Sequence, residues 1–441
     1  LPGAKILKEL YPIAFTFVHH KLNALAILLY NIFLIVYTCG IRIASLYNPK
    51  AKKWLQGRKN IFDRLEAALP KNEKIIWVHC SSLGEFEQGR PVIERLKTQG
   101  KNYKILLTFF SPSGYEVQKH FNGADWVFYL PMDGAGNAKR FLEIVNPSLV
   151  IFVKYDYWFY YLKKIKNRNI PLLLISALFQ KNSVFFHWYG FFQRKMLNRF
   201  DHVFVQNEES KRLLDIIGLS GKCTVAGDTR FDRVMKIADQ FEPIPLIEEF
   251  IGSQPCLVAG STWKEDEALL SQLILPGNEL KLIMAPHELS FAHVKELKKQ
   301  FPGSITYSEF VNNRNLSPAT VLIIDSMGML SRLYKYATIT YVGGGLTRNG
   351  VHNVLEAAVY GKPVLHGPVF QKYREAMELV EAGGAIIIKN ANELKAEISI
   401  LLNNGDSFNK ICEASRNYVQ KNKGATDKIM AYIQEKRLLT N

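Results

Sequence analysis

The chain has 441 residues, too many for one hydrophobic core and suited to two domains with additions. Its 48% hydrophobic content excludes a disordered chain, and the five cysteines (Cys39, Cys80, Cys223, Cys256, Cys412) are scattered and form no C-x-x-C, which excludes a disulfide framework or a structural zinc site and fits a reducing compartment. The formal net charge of +16 points to nucleic acid, anionic lipid or acidic small molecules without choosing among them.

The first element helps to choose. Twenty residues without charge, LNALAILLYNIFLIVYTCGI, lie between Lys21 and Arg42. That is about the ~20 apolar residues that cross a bilayer core, although Asn23 and Asn31 interrupt the stretch and a surface-lying or buried helix is the other reading. Arg42, Lys50, Lys52, Lys53, Arg58, Lys59 and Arg64 follow against one acid, Asp63. By the positive-inside rule the bulk of the chain is then cytoplasmic, and the collar attracts anionic head groups. No small-x-small site follows, so a removed signal peptide is not expected. Residues 1–60 are read as a membrane anchor with a basic collar.

From Lys74 short apolar runs alternate with helical periodicity. Strands are expected at 75–79, 104–109, 126–130, 149–153, 172–176 and 202–206, with helices such as Glu87–Thr98 and Glu208–Ile217 between them. Continuous apolar strands separated by helices predict a doubly wound parallel α/β sheet. The pattern breaks at 239–255, where QFEPIPLIEEFIGSQP carries three prolines, and restarts at 256–260, 280–285, 321–325, 338–342, 363–367 and 385–389. The expected organisation is an α/β domain over 61–238, a linker over 239–255 and a second α/β domain over 256–441 that includes the terminal helices. A cleft is expected between the two, with ligands beyond the carboxyl ends of the strands.

The strand ends carry the chemistry. After the first strand comes HCSSLGEFEQG, where Gly84 marks a turn and Glu85 opens a helix whose dipole favours its ionised form. Glu85 is there either a general base or only a helix cap. KYDYW places Lys154, Asp156 and Trp158 at the mouth of the fourth strand, for sugar or lipid-head contacts or for packing. VAGDTRFD supplies Arg230 and Asp232. AGSTWKEDE supplies Ser261, Thr262 and Lys264 as a helix cap with a nearby cation. MAPHE supplies His287, and DSMGMLSRLY supplies Asp325 with a bend at Met327 and Gly328. In YVGGGLTRNGVHNVLEAAVYGKPVLHGP a strand meets Gly343, Gly344 and Gly345, then a helix expected to open at His352–Asn353 with Glu356 on its first turn. Glycines there would let backbone approach a ligand, the helix start would face a phosphate and Glu356 would take ribose hydroxyls. The chain has no Asp-x-Asp for a metal–diphosphate, no G-x-x-x-x-G-K-[ST] and no G-x-G-x-x-G after its opening strand.

Taken in order, HCSSLGE, TFFSPSGYE, LPMD, NPSLVIF, KYDYW, FVQNEES, VAGDTRFD, DSMGMLSRLY, GGGLTRNGVHNVLEAA and GKPVLHGP resemble the Kdo transferases of Gram-negative bacteria, which add 3-deoxy-D-manno-oct-2-ulosonic acid (Kdo) to the lipid A precursor. The resemblance runs from the anchor to about residue 388. It implies the GT-B fold, two Rossmann-like domains facing across a cleft, and metal-independent, inverting transfer from CMP-Kdo to lipid IVA at the cytoplasmic face of the inner membrane. No cofactor, metal or nucleic acid is implied. Glu85 falls on the family's base. Gly344, His352, Asn353 and Glu356 fall on its donor-nucleotide loop, Asp325, Met327 and Gly328 on its Asp-x-Met-Gly turn, and Arg230 on its basic G-x-x-[KR]-F-D position. Ser261, Thr262 and His287 complete the expected donor contacts, and Lys154 and Asp156 the acceptor or sugar contacts.

Three positions depart from the family pattern: Lys154 replaces the first acid of Glu-x-Glu, Leu178 replaces an arginine, and Pro286-His287-Glu288 replaces Pro-Arg-His. Lys154, Lys264 and Arg348 are the basic residues that can compensate. Two other classes remain compatible with the sequence, a soluble GT-B nucleotide-sugar enzyme such as another glycosyltransferase or an epimerase, and a basic membrane- or RNA-binding module.

Overall fold

The computed structural model describes residues 3–99, 102–273, 280–314 and 319–439, with side chains from Asn23 onward. Two compact units emerge, one formed by the chain up to Thr229 together with the residues from Gly424, the other by Arg230–Lys423.

The first unit is built on seven strands, β1 (Ile75–Cys80), β2 (Lys104–Phe109), β3 (Trp126–Tyr129), β4 (Leu149–Val153), β5 (Leu172–Ala177), β6 (His202–Val205) and β7 (Cys223–Val225). They pair in the order β3-β2-β1-β4-β5-β6-β7, all parallel. Alternate residues feed opposite apolar layers: Trp77, Val150 and Phe152 enter one, Ile76, Val78, Ile151 and Val153 the other. Both faces are covered, so the strands read as unbroken apolar runs. The chain leaves β1 in opposite directions, toward β2 and toward β4. That is the switch point where sheets of this kind open a crevice beyond their carboxyl ends.

The second unit repeats the plan with β8 (Cys256–Thr262), β9 (Lys281–Pro286), β10 (Ile305–Thr306), β11 (Val321–Ile323), β12 (Ile339–Val342), β13 (Val364–His366) and β14 (Ala385–Ile387), in the order β10-β11-β9-β8-β12-β13-β14. Its switch point lies between β8 and β12. Strands β7 and β10, of three and two residues, carry too little pattern to read from sequence.

The domain limits differ from the sequence reading. The division falls at Thr229/Arg230, and the segment 239–255 belongs to the second unit. Its prolines interrupt regular structure without extending the chain, because Ile244, Ile247 and Phe250 are buried in that unit's core. The last helix, Ala425–Glu435, belongs to the first unit, where Ala425, Ile429, Met430 and Ile433 join the layer containing Ile76 and Val78. Arg95 pairs there with Asp427, and Lys428 Nζ reaches the carbonyls of Val225 and Ala226 at 3.4 and 3.3 Å.

The apolar N-terminal segment is part of one helix, Gly3–Ala44, whose portion Asn23–Ala44 is long and apolar enough to cross a membrane. One side of it packs on the first unit. Tyr30 donates to Asp133 at 2.7 Å, Tyr160 donates to Asn31 at 2.8 Å, and the Tyr30 ring meets those of Phe159 and Phe192. The opposite side leaves Leu28, Leu29, Ile32, Phe33, Ile35 and Val36 exposed. Asn31, one of the two asparagines that interrupt the apolar run, faces its own domain.

Candidate functional site

At the switch point of the first unit, the loops after β1 and β4 bring Glu85, Lys154 and Asp156 together. The turn Ser81–Ser82 leads into the helix Leu83–Gln99, with Glu85 in its first turn. Ser82 Oγ donates to Glu85 Oε2 at 2.9 Å and lies 3.5 Å from the Glu85 N–H, the pattern of a helix-start S-x-x-E pair. The cap and the base readings thus describe the same half-buried side chain. Burial raises its carboxyl above the ordinary Glu range, while hydrogen bonds from Ser82 and Ser81 and the charge of Lys154 pull it back. Burial outweighs the stabilisation expected from the helix start.

Asp156 lies deeper. Ser81 Oγ donates to its Oδ1, whereas Oδ2 is buried without a hydrogen-bond partner among the described residues. Burial, then the nearby Glu85 charge, push its carboxyl well above the usual range. His79 Nε2 lies 3.5 Å from Oδ2 but is no counter-charge, because full burial pushes the imidazole down to about 3. Trp158 Nε1 donates to that same Nε2 at 3.3 Å, so the ring proton sits on Nδ1, which faces Thr108 Oγ1 at 2.8 Å. The surroundings treat the two carboxyls unequally: burial raises both, Asp156 well above its usual range, while Ser82 and Lys154 pull Glu85 back. Lys154 holds a left-handed φ of 68°, a conformation costing a non-glycine residue roughly 1 kcal/mol and set by the turn out of β4.

In the second unit a cluster forms at the ends of β8, β9 and β12. The His287 ring stacks against both Trp263 and His352, with centroids 4.5 Å and 4.6 Å away. Trp263 Nε1 donates to His352 Nε2 at 2.8 Å. An indole can only donate, so neutral His352 carries its proton on Nδ1. Burial and the neighbouring His287 push His352 down to about 4, so it is neutral near pH 7. Asn353 Nδ2 donates to Glu356 Oε1 at 3.1 Å, and Glu356 is raised by burial against the opposing charge of Arg233. Ser261 has a left-handed φ of 53° beside this cluster, and the Thr262 carbonyl accepts the His287 N–H at 2.9 Å.

Several expectations are revised. The helix after the glycines begins at Leu355 and spans only Leu355–Ala358, with Asn353 Oδ1 accepting the Leu355 N–H at 3.2 Å, so it opens later than His352–Asn353 and offers little dipole. The three glycines are explained by the protein itself. A Cβ on Gly343 would lie 2.4 Å from the Ser261 carbonyl, one on Gly344 (φ 88°) 2.5 Å from that of Gly350, and one on Gly345 2.6 Å from the Gly367 nitrogen. Ser261 and Thr262 do not cap the next helix, Lys264–Ser271. Trp263 occupies the cap position, and Asp266 accepts its N–H at 2.9 Å and that of Gly344 at 2.8 Å. The Thr262 hydroxyl is spent on Glu267, at 3.2 Å.

Arg230 is held by Glu375 through two contacts of 2.7 and 3.0 Å. Asp325 accepts from the N–H and hydroxyl of Ser308, Met327 is exposed at the following bend, and Gly328 has φ 85°. Among the described residues, no hydrogen bond or ring contact links Asp325 or Met327 to the Trp263–His287–His352 cluster. Lys264 pairs with Glu296 at 3.2 Å, Arg348 is exposed and Leu178 is half-buried. Sequence reasoning missed Trp263, Asp266, Arg233, Glu375, His79 and Ser81. Arg233 was the most accessible of these, one turn from Arg230 on the same helix, Thr229–Asp239.

The pattern of the family described as 3-deoxy-D-manno-octulosonic-acid transferase (kdotransferase) matches residues 57–233. A 3-deoxy-D-manno-octulosonic acid transferase of Haemophilus influenzae is 25% identical over 415 residues, 90% of this chain and 94% of that protein. One from Aquifex aeolicus is 29% identical over 352 residues, 77% of this chain and 91% of that protein. Among solved structures, UDP-GlcNAc 2-epimerase from Neisseria meningitidis superposes with a TM-score of 0.56 at 18% identity, covering 82% of this chain and all (100%) of that one. At that identity the likeness is one of fold, and the fold is GT-B with two Rossmann-like units.

Proposed function

From the premise that this chain belongs with the Kdo transferases, whose pattern residues 57–233 carry, we propose that it transfers Kdo from CMP-Kdo to a hydroxyl of the lipid A precursor, lipid IVA, with inversion and without a metal. The observation that carries the reading is the carboxyl pair at the first unit's switch point, where half-buried Glu85, bonded to Ser82 and drawn down by the charge of Lys154, stands beside the more deeply buried Asp156.

In this reading Glu85 accepts the proton of the attacking hydroxyl as that oxygen bonds to the anomeric carbon of Kdo. The bond from that carbon to the phosphate oxygen breaks, and its electrons leave with CMP. The transition state is oxocarbenium-like, by analogy with glycoside chemistry. A phosphodiester leaving group sheds less charge than a diphosphate, so neutral donors such as the Nδ1–H of His352 serve it, and the sequence has no Asp-x-Asp to recruit a cation. Asn353 and Glu356 would hold the ribose, with Ser261, Thr262, His287, Arg230, Asp325, Met327, Gly328 and Gly344 shaping the donor site. Lys154 and Asp156 would meet the sugar acid or the acceptor. The helix Asn23–Ala44 and the basic collar would keep the protein on the cytoplasmic face of the inner membrane, where the acceptor resides.

The test is direct: incubate the purified chain with CMP-Kdo, with and without lipid IVA. Lipid-dependent CMP release with a matching mass gain on the lipid supports the assignment. Lipid-independent turnover, or transfer to a water-soluble sugar alone, refutes it.

A further inference from the structure

The first unit contains a cavity of about 660 Å³ at the foot of the apolar helix. Its wall includes Thr38 and Arg42 from that helix, Trp54, Arg58 and Lys59 from the collar, and Arg140. We propose that this cavity binds the phosphate of an anionic membrane lipid head group.

The charged groups on its wall are mostly basic, Arg42, Arg58, Lys59 and Arg140 against Asp63. Trp54 is only 5% exposed and its indole N–H is buried without a hydrogen-bond partner among the described residues. Leaving a buried donor unmet costs on the order of its desolvation. Arg58 gives its N–H groups to the carbonyls of Leu130, Trp54 and Phe110 at 2.9, 3.1 and 2.7 Å and stacks on the Trp54 ring at 3.8 Å. It has no carboxylate partner among the described residues, and burial pushes its guanidinium down to about 9. A half-buried cation with no carboxylate beside it is one that an anion can pair with. Arg42 and Lys59 add exposed charge with no ion pair among the described residues. The acid on the wall, Asp63, is taken by Arg140 at 3.3 Å. The helix Ile61–Ala68 begins at this wall without a side-chain cap from Asn60, and the Arg58 carbonyl takes its first N–H, that of Ile61, at 3.3 Å.

The source of the phosphate follows from placement. Thr38 and Arg42 continue the helix whose outer side exposes Ile35, Val36 and Ile43. A bilayer covering that side puts its head groups at the cavity mouth. The inference rests on the membrane placement proposed above, but not on the transfer reaction.

The experiment uses the full chain in dodecyl maltoside micelles with ¹⁵N-labelled indoles, the Trp54 resonance being assigned by Trp54→Phe. Dihexanoyl phosphatidylglycerol should shift that resonance saturably, and Lys59→Gln, at an exposed position, should weaken the binding about fivefold. Arg58→Lys, which keeps the charge, should retain the shift. No Trp54 shift with phosphatidylglycerol, or an equal shift with phosphatidylcholine, overturns the proposal. Inorganic phosphate binding as tightly as the lipid also overturns it, because the site then takes free anions. Measuring CMP-Kdo turnover on the same samples separates this outcome from failure of the transferase reading.

Discussion

Trp263 gives its indole N–H to Nε2 of His352 over 2.8 Å, while His287 stacks against both rings at 4.5 and 4.6 Å. The hydrogen bond fixes which nitrogen of His352 keeps a proton, and therefore which can serve a leaving phosphate. Trp263→Phe keeps a ring in the stack and removes the donor. Long-range ¹H–¹⁵N spectra should show the Nδ1–H form of His352 in the native chain and a mixture of tautomers in the variant. The donor KM should rise several-fold with little change in kcat. An unchanged tautomer in the variant would take Trp263 out of this role.

Glu85→Gln preserves the shape of the side chain and its contact with Ser82 while removing basicity. Turnover should fall by roughly 10²–10⁴-fold, the usual worth of a general base, with CMP affinity unchanged. Near-native kcat would remove Glu85 from the proton transfer.

Lys154 pulls the Glu85 carboxyl down against the push of burial. The proposed transfer uses Glu85 as the anion, so the acid limb of kcat/KM should lie above the ordinary carboxylate range. Lys154→Met should move that limb to higher pH, and a move to lower pH would mean that Lys154 does not act on Glu85 electrostatically.

His79 is neutral in the fold, its imidazole pushed down to about 3, against an ordinary value of about 6.5 when unfolded. Between those values the unfolded chain binds the extra proton, so stability rises with pH. The contribution is complete above about 6.5 and is lost as pH falls toward 3. Urea midpoints at pH 7.0 and 5.0, conditions chosen for the test, should therefore differ more for the native chain than for His79→Gln. An equal difference would assign the acid sensitivity elsewhere.

Gly344→Ala forces a side chain into a left-handed φ of 88° with its Cβ 2.5 Å from the Gly350 carbonyl and 2.8 Å from the His352 ring. A loss on the order of 1–3 kcal/mol is expected in urea unfolding, together with a displaced His352 resonance. A neutral substitution would show that this loop relaxes freely.

The legible and illegible parts of the molecule divide by sequence distance. Strands such as Leu149–Val153 announce themselves because a parallel strand buried on both faces needs apolar residues at every position. Glu85 was legible because strand, turn and helix start follow one another within HCSSLGE. Its companions were not: Ser81 meets Asp156 across 75 positions, and Trp263 meets His352 across 89. The glycines Gly343–Gly345 misled for a related reason, since the atoms crowding them belong to Ser261, Gly350 and Gly367, remote parts of the same chain. The helix Ala425–Glu435 shows an amphipathic face in sequence, but periodicity cannot name the sheet that will cover it.

That last helix sets an order of assembly. The layer beside Ile76 and Val78 stays incomplete until Ala425, Ile429, Met430 and Ile433 have been synthesised, long after β7 has emerged. During translation the intervening residues, Arg230–Lys423, can collapse on their own core while the earlier domain waits with one side of its sheet unsealed. A ribosome stalled before Ala425 would hold such an open sheet, a natural target for a chaperone and the point at which this chain is most exposed to misassembly.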